Sequence, residues 1–280
     1  MKPATDPKQD FLVIERVTKE FEASDKDGKS IRVIDGVSLS LKAGEFAVFL
    51  GPSGCGKTTL MRMAGGLDHP TSGEVRLAGE VVTGPDRRKG MVFQAYSSFP
   101  WLTVLGNIRF GLKYRHDVDA AEKDRIARHY LKMVGLEDFA DFFTNRISGG
   151  MRQRVAIART LAAGPDILLM DEPFGALDAQ TREFLQVQLL EIARAEGKTV
   201  IFVTHDVEEA VFLADRIFMF SARPATIIEE IDVTRTLGAR RVLETKQQQD
   251  FFRLRNHVLD LMRVQARKTE EIFRPEAVGE

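Results

Sequence analysis

Residues 51–59 read Gly51-Pro52-Ser53-Gly54-Cys55-Gly56-Lys57-Thr58-Thr59. Glycines so spaced let successive backbone N–H groups converge on one point with no side chain in the way, which is the chemistry of a phosphate cradle. Lys57 can reach outer phosphates, and Thr58 can offer its hydroxyl to a magnesium ion. Phosphoryl chemistry also needs a metal ligand and a group that activates water. Asp171 and Glu172 supply both types: Asp171 to hold the metal through water, Glu172 as general base. The alternative makes one of the two a helix cap or a solvated charge. Gln94 and His205 each follow an apolar run. Gln94 can reach the metal shell. An imidazole at 205 can touch a terminal phosphate and the attacking water, although spacing alone leaves a structural role equally open. Cys55 reads as a nucleophile or as a small tolerated side chain; no neighbouring His or Asp in sequence suggests an activating base, so we expect the latter.

These residues need elements to place them. Phe46-Ala47-Val48-Phe49-Leu50 leads into the cradle and Leu60-Met61-Arg62-Met63-Ala64 leads out, giving strand, loop, helix. The helix adds the positive end of its dipole to an anion site. Ile167-Leu168-Leu169-Met170 is continuously apolar, as a buried parallel strand should be. Its two carboxylates emerge at the C-terminal end, where open α/β sheets bind ligands. Neighbours on a strand face opposite ways, so Asp171 and Glu172 need not do the same job. The run Thr199–Thr204 puts His205 at the same sheet edge.

Residues 11–44 read as paired strands, with runs at 11–14, 31–34 and 37–41 around a polar turn at 24–29. Runs at 74–77 and 90–93 read as further strands. From about 95 to 150 helical spacing replaces alternation. Asp119 can start a helix whose apolar face is Ile126, Tyr130, Leu131 and Val134, and Gly135 stops it. Helices are expected at 150–163, 179–196 and 206–214, with strands at 200–203 and 216–220. Strand and helix in that rhythm mean a parallel sheet covered on both faces. Residues 240–268 read as a charged helix with Phe251, Leu254, Val258, Leu261 and Met262 on one face. It either binds a partner or docks on its own domain; we expect the latter.

The 280 residues suit one large domain or a domain with an inserted lobe. Net charge is −1, which argues against nucleic acid as the main partner. The N-terminus shows no apolar signal region, and no apolar stretch is long enough to span a membrane. A single cysteine permits no internal disulfide and fits the cytoplasm.

Ile147-Ser148-Gly149-Gly150-Met151-Arg152-Gln153-Arg154 resembles the signature sequence of ATP-binding-cassette (ABC) ATPases, with Ile147 where Leu is usual. The family's other motifs occur in its order: a Walker A loop at 51–58, a glutamine loop at Gln94, a Walker B strand ending in Asp171-Glu172, a D-loop Gly175-Ala176-Leu177-Asp178 and a switch His205. The resemblance spans roughly 11–235. It implies an α/β P-loop NTPase fold with a parallel core sheet, an antiparallel β lobe and an inserted helical signature lobe. It implies that two copies sandwich two ATP molecules with Mg²⁺. Ser148, Gly149 and Gly150 then touch the γ-phosphate bound by the other copy, with Asp178 nearby. Phe21 fits the adenine-stacking position, or else fills the small β lobe. The segments Gln94–Val104 and Thr204–Ala210, with Ser221-Ala222-Arg223-Pro224, resemble the nitrate/sulfonate/taurine importer branch. That implies a membrane permease partner docked near Tyr96, Phe99 and Trp101, although Trp101 fits local core equally well. It also implies, indirectly, a periplasmic solute-binding protein, and a peripheral place on the cytoplasmic face of the membrane.

The expected organisation is a flexible tail at 1–10, an ABC ATPase domain at 11–240 with its helical lobe at about 95–155, and a C-terminal helix and tail at 241–280. The rival is a soluble ABC-type ATPase acting on nucleic acid or ribosomes. Those usually carry two cassettes or a long coiled-coil insertion, and neither is present.

Overall fold

A computed structural model describes residues 10–22, 30–94 and 97–273, of which 270–273 by backbone alone. The expected flexible tail and the polar turn at 24–29 therefore lie outside the described residues, apart from Asp10. In chain order the first elements are β1 (Leu12–Glu22), β2 (Ser30–Leu41), β3 (Phe46–Leu50), α1 (Lys57–Ala64), β4 (Ser72–Leu77) and β5 (Glu80–Val81). Then come β6 (Lys89–Val92), α2 (Val104–Gly111), α3 (Ala120–Met133), α4 (Gly149–Ala162), β7 (Ile167–Asp171), α5 (Ala179–Ala195) and β8 (Thr199–Thr204). The chain closes with α6 (Val207–Leu213), β9 (Arg216–Phe220), β10 (Ile227–Asp232), α7 (Thr234–Leu237) and α8 (Gln249–Phe273). Contacts divide the described residues into two compact units, with cuts after Pro85 and after Phe202.

The first unit holds an antiparallel sheet in the order β2-β1-β4-β5. β1 and β2 pair from Leu12 opposite Leu41 to Glu22 opposite Ser30, with successive register shifts between Ile14 and Glu20. The two runs expected at 31–34 and 37–41 are thus one strand. Gly36, at φ 63°, lies opposite the shift between Val17 and Lys19, where β2 carries the extra residue without breaking. β3 is buried along its whole length and pairs in parallel with β9, whose other neighbour is β10. β10 was not anticipated; its half-exposed pattern carries little periodic signal.

α8 packs on α6 and α7 through a stripe that includes buried Phe251, Val258 and Gln265. Docking on its own unit is the alternative that holds. The helix starts later than expected because Arg241 is drawn inward. Its guanidinium donates to Asp215 at 2.8 Å and to the carbonyls of Leu213 and Gly238 at 3.1 and 3.0 Å. The other oxygen of Asp215 accepts from Phe46 N–H at 2.9 Å, so this pair anchors the start of β3.

In the second unit β8, β7 and β6 are neighbours in that order, and β6 runs parallel to β7. β7 is wholly buried. α2, α3 and α4 pack on one another and form the helical segment. Asp119 caps α3 by accepting from Glu122 N–H at 2.8 Å, as its sequence signalled. The buried face is Ala127, Tyr130, Leu131 and Val134, while Ile126 is only half-buried. Gly111 lets α2 approach α4: a Cβ there would lie 2.3 Å from the carbonyl oxygen of Arg159.

Candidate functional site

The first unit carries the phosphate loop. β3 delivers the chain to Gly51, where an added Cβ would meet Phe220 at 3.0 Å. Gly56 has φ 126° and would meet the Val33 carbonyl at 3.1 Å, a conformation and a space that only glycine fills without strain. Lys57 opens α1, and no side chain caps that helix. A helix start without a capping side chain is the arrangement an anion exploits. The Lys57 ammonium is buried and donates to the carbonyls of Gly51 at 2.7 Å and Pro52 at 2.8 Å. The expectation that Lys57 can reach the outer phosphates gave no sign of these loop partners. Pro52 and Cys55 are buried, Ser53, Gly54 and Thr58 exposed, and Thr59 half-buried. Cys55 Sγ lies 3.7 Å from Lys57 Nζ.

His205 stands at a corner pinned on both sides. Thr204 Oγ1 donates to Glu209 at 2.8 Å and accepts from Asp206 N–H at 3.0 Å. Asp206 caps α6, accepting from Glu208 and Glu209 N–H at 2.8 and 3.1 Å. The exposed imidazole between them is therefore held by a rigid backbone. Phe21 is 41% exposed, with Lys19 Nζ 4.8 Å from its ring centroid. Among the described residues it is therefore not buried within the β lobe.

The second unit carries the carboxylates. Asp171 ends β7 and is buried. Glu172 lies beyond the strand at φ 44°. The expectation that strand alternation separates the two side chains is thus corrected: a left-handed residue turns Glu172 out. Such a conformation in a non-glycine residue stores strain, and strain of this kind collects at functional sites. Gln94 Nε2 donates to the Glu172 carboxylate at 3.1 Å. One expected metal-shell residue therefore holds the expected base.

Ser148 caps α4, its hydroxyl accepting from Met151 N–H at 3.2 Å, and Gly149 and Gly150 form the first turn. A Cβ on Gly150 would meet Leu177 at 3.2 Å, so this turn lies against the segment before α5. Asp178 caps α5, accepting from Thr181 N–H at 2.9 Å. That N–H, the Thr181 hydroxyl and the Arg154 cation hold its carboxyl below the usual range.

Trp101 is 69% exposed, which removes it from the local core. Its ring centroid lies 5.4 Å from Phe99, which in turn lies 4.6 Å from Phe110. Tyr96 lies outside the described residues. Sequence reasoning missed the residue that shapes this corner. Asn107 is buried, accepts from Phe99 N–H at 2.8 Å and donates to the Phe99, Leu102 and Thr103 carbonyls. Its only signal was an amide on the apolar side of a short helix.

Among the described residues no three His, Cys, Asp or Glu side chains gather to hold a metal by themselves. The expected donors, the Thr58 hydroxyl, the Gln94 amide and the Asp171 carboxylate, are hard oxygen ligands. That set suits magnesium, which takes one or two protein carboxylates and completes its shell with water and phosphate oxygens.

Residues 34–175 match the ABC transporter family. The chain is 44% identical over 248 residues to the nitrate import ATP-binding protein NrtD of Synechocystis sp., covering 86% of this chain and 91% of that one. It is 43% identical over 253 residues to the taurine import ATP-binding protein TauB of Roseobacter denitrificans, covering 90% and 93%. Among solved structures it resembles the dimeric, post-hydrolysis state of the ATP-binding cassette MJ0796 bound to ADP and Pi. The TM-score there is 0.72 at 36% identity, covering 79% of this chain and 98% of that one. A phosphate loop opening α1, a carboxylate pair at the end of β7 and a serine-capped signature helix thus occur together with extensive sequence identity, and the chain belongs to the ABC transporter family as an ATP-binding subunit.

Proposed function

We propose that this chain is the ATP-hydrolysing subunit of an importer for a small solute of the nitrate, sulfonate or taurine type. Two copies close on two ATP molecules, and the cycle of closure and reopening drives membrane permease subunits fed by a periplasmic binding protein. The subunit is membrane-associated, peripheral on the cytoplasmic face. In keeping with this, no helix among the described residues is long and apolar enough to cross a membrane. The cassette comprises 11–240 with its helical lobe at about 95–155, followed by the C-terminal helix and tail.

Lys57 and the loop of residues 51–59, through its N–H groups other than at Pro52, hold the phosphates, and Phe21 stacks on adenine. Thr58, Asp171 and Gln94 hold magnesium, which when bound neutralises phosphate charge. Glu172 takes the proton of the attacking water, while His205 orients that water and the γ-phosphate. Ser148, Gly149, Gly150 and Asp178 complete the site of the other copy. The permease docks near Tyr96, Phe99 and Trp101, of which Trp101 is exposed.

The observation that carries this reading is Glu172: a carboxylate turned out of a buried strand by a left-handed backbone and held by an amide at 3.1 Å. Glu172→Gln keeps an acceptor for Gln94 and removes the base. Phosphate release should fall about 10²–10⁴-fold, with ATP binding retained and an ATP-stabilised dimer appearing in light scattering. Turnover at the wild-type rate would remove Glu172 from the role.

A further inference from the structure

The segment Ser221-Ala222-Arg223-Pro224 has no part in the assignments above, yet it reaches the phosphate loop. Arg223 Nη2 donates to the Gly54 carbonyl at 2.9 Å. Gly54 lies within the loop in a left-handed conformation at φ 74°, which glycine adopts without strain. Arg223 Nε is buried without a hydrogen-bond partner, so part of the guanidinium is sheltered from water. Among the described residues Arg223 forms no salt bridge with a carboxylate, and its hydrogen bond goes to the loop carbonyl.

The arm that carries Arg223 is fixed at three points. Ala225 exchanges backbone bonds with β2, donating to the Val33 carbonyl at 2.8 Å and accepting from Asp35 N–H at 3.0 Å. Ser221 Oγ accepts from Thr226 N–H at 2.9 Å and closes the segment on itself. Ala222 N–H donates to the side-chain oxygen of Gln265 at 3.2 Å, and Gln265 is buried on α8. β2 is also the strand whose Val33 abuts Gly56, so the same neighbours bracket both sides of the cradle. A guanidinium held so firmly loses little further freedom in making its bond.

We propose that Arg223 is a positioning residue for the phosphate loop, and that α8 holds it in place through Gln265. By fixing the Gly54 carbonyl, Arg223 orients the following amides toward bound phosphate, and its charge favours the polyphosphate. The C-terminal helix thereby tunes nucleotide affinity without touching nucleotide. The affinity part rests on the loop being a nucleotide site; the ordering of the loop does not.

Hydrogen exchange of the full-length protein without nucleotide tests the ordering directly. Arg223→Gln should speed exchange of the amides at Gly54–Lys57 about tenfold and leave α8 as protected as in wild type. Gln265→Leu should speed exchange at both Ser221–Thr226 and the phosphate loop. Arg223→Lys, which can still reach one carbonyl, should fall between wild type and Arg223→Gln. Loop exchange unchanged in Arg223→Gln would overturn the proposal, as would a loss of protection spread over the whole unit. Calorimetric titration with ADP should show affinity weakened about five- to tenfold by Arg223→Gln, the net worth of about one hydrogen bond, and partly rescued by Arg223→Lys. Affinity within twofold of wild type would also overturn it. Failure of the wild-type protein to bind ADP would instead refute the nucleotide reading and leave the exchange result to decide the ordering.

Discussion

Comparing Glu172→Gly with Glu172→Ala isolates the backbone strain at the candidate base. Both variants remove the carboxylate and its hydrogen bond from Gln94, so the difference between them is conformational. At φ 44° a residue with a Cβ costs about 1–2 kcal/mol that glycine avoids. Glycine gives back about 0.5–1 kcal/mol through its greater freedom in the unfolded chain. The glycine variant should therefore be the more stable by about 0.5–1 kcal/mol, the reverse of the order in an ordinary helix or strand. In a chain of this size that separates thermal midpoints by about 1–4 °C, measurable by calorimetry or circular dichroism on matched samples. Both variants should lose hydrolysis by a factor of about 10²–10⁴. A higher midpoint for alanine would refute the strain argument, and with it the idea that stability is given up at this residue to aim a carboxylate.

Two further predictions concern stability. Arg241→Ala leaves the half-buried Asp215 without its cation and should cost about 1.5–3 kcal/mol, read as a drop in the urea midpoint; Arg241→Met, which refills the space, should lower it too, because Asp215 stays without a cation. The hydrogen bond from Arg115 holds the Asp117 carboxyl at about 2, below its ordinary value of 3.8. A lowered folded-state value means the stabilisation is complete above the ordinary value and disappears as pH falls toward the lowered one. Melts between those limits should lose part of their pH dependence in Asp117→Asn, and an unchanged profile would contradict the pairing.

Continuous apolar runs announced β7, β8 and β9, because a strand buried on both faces leaves no other choice of side chain. The caps Asp119 and Ser148 were legible because a short polar acceptor before an apolar run has few other uses. What stayed hidden depended on contacts distant in sequence. β10 is half-exposed and exists by pairing with β9. α2 is only eight residues long, contains Gly106 and Gly111, and owes its place to Asn107 and the close approach to α4. α8 begins late because Asp215, far away along the chain, claims Arg241. At the candidate site the residue types were readable, but the left-handed turn at Glu172 and the carbonyls that hold Lys57 were not. Each is a backbone geometry that leaves no mark on composition or period.

The central claim is that each ATP site is completed by two copies of the chain. Mixing two inactive variants tests it most directly. Lys57→Ala removes the phosphate contact and Ser148→Arg obstructs the signature helix. In a head-to-tail pair, the mixed dimer gathers both defects into one site and leaves the other intact. Phosphate release should then reappear on mixing, well above either variant alone. Activity that stays at the level of the separate variants, in mixtures shown by light scattering to contain dimers, would contradict the account.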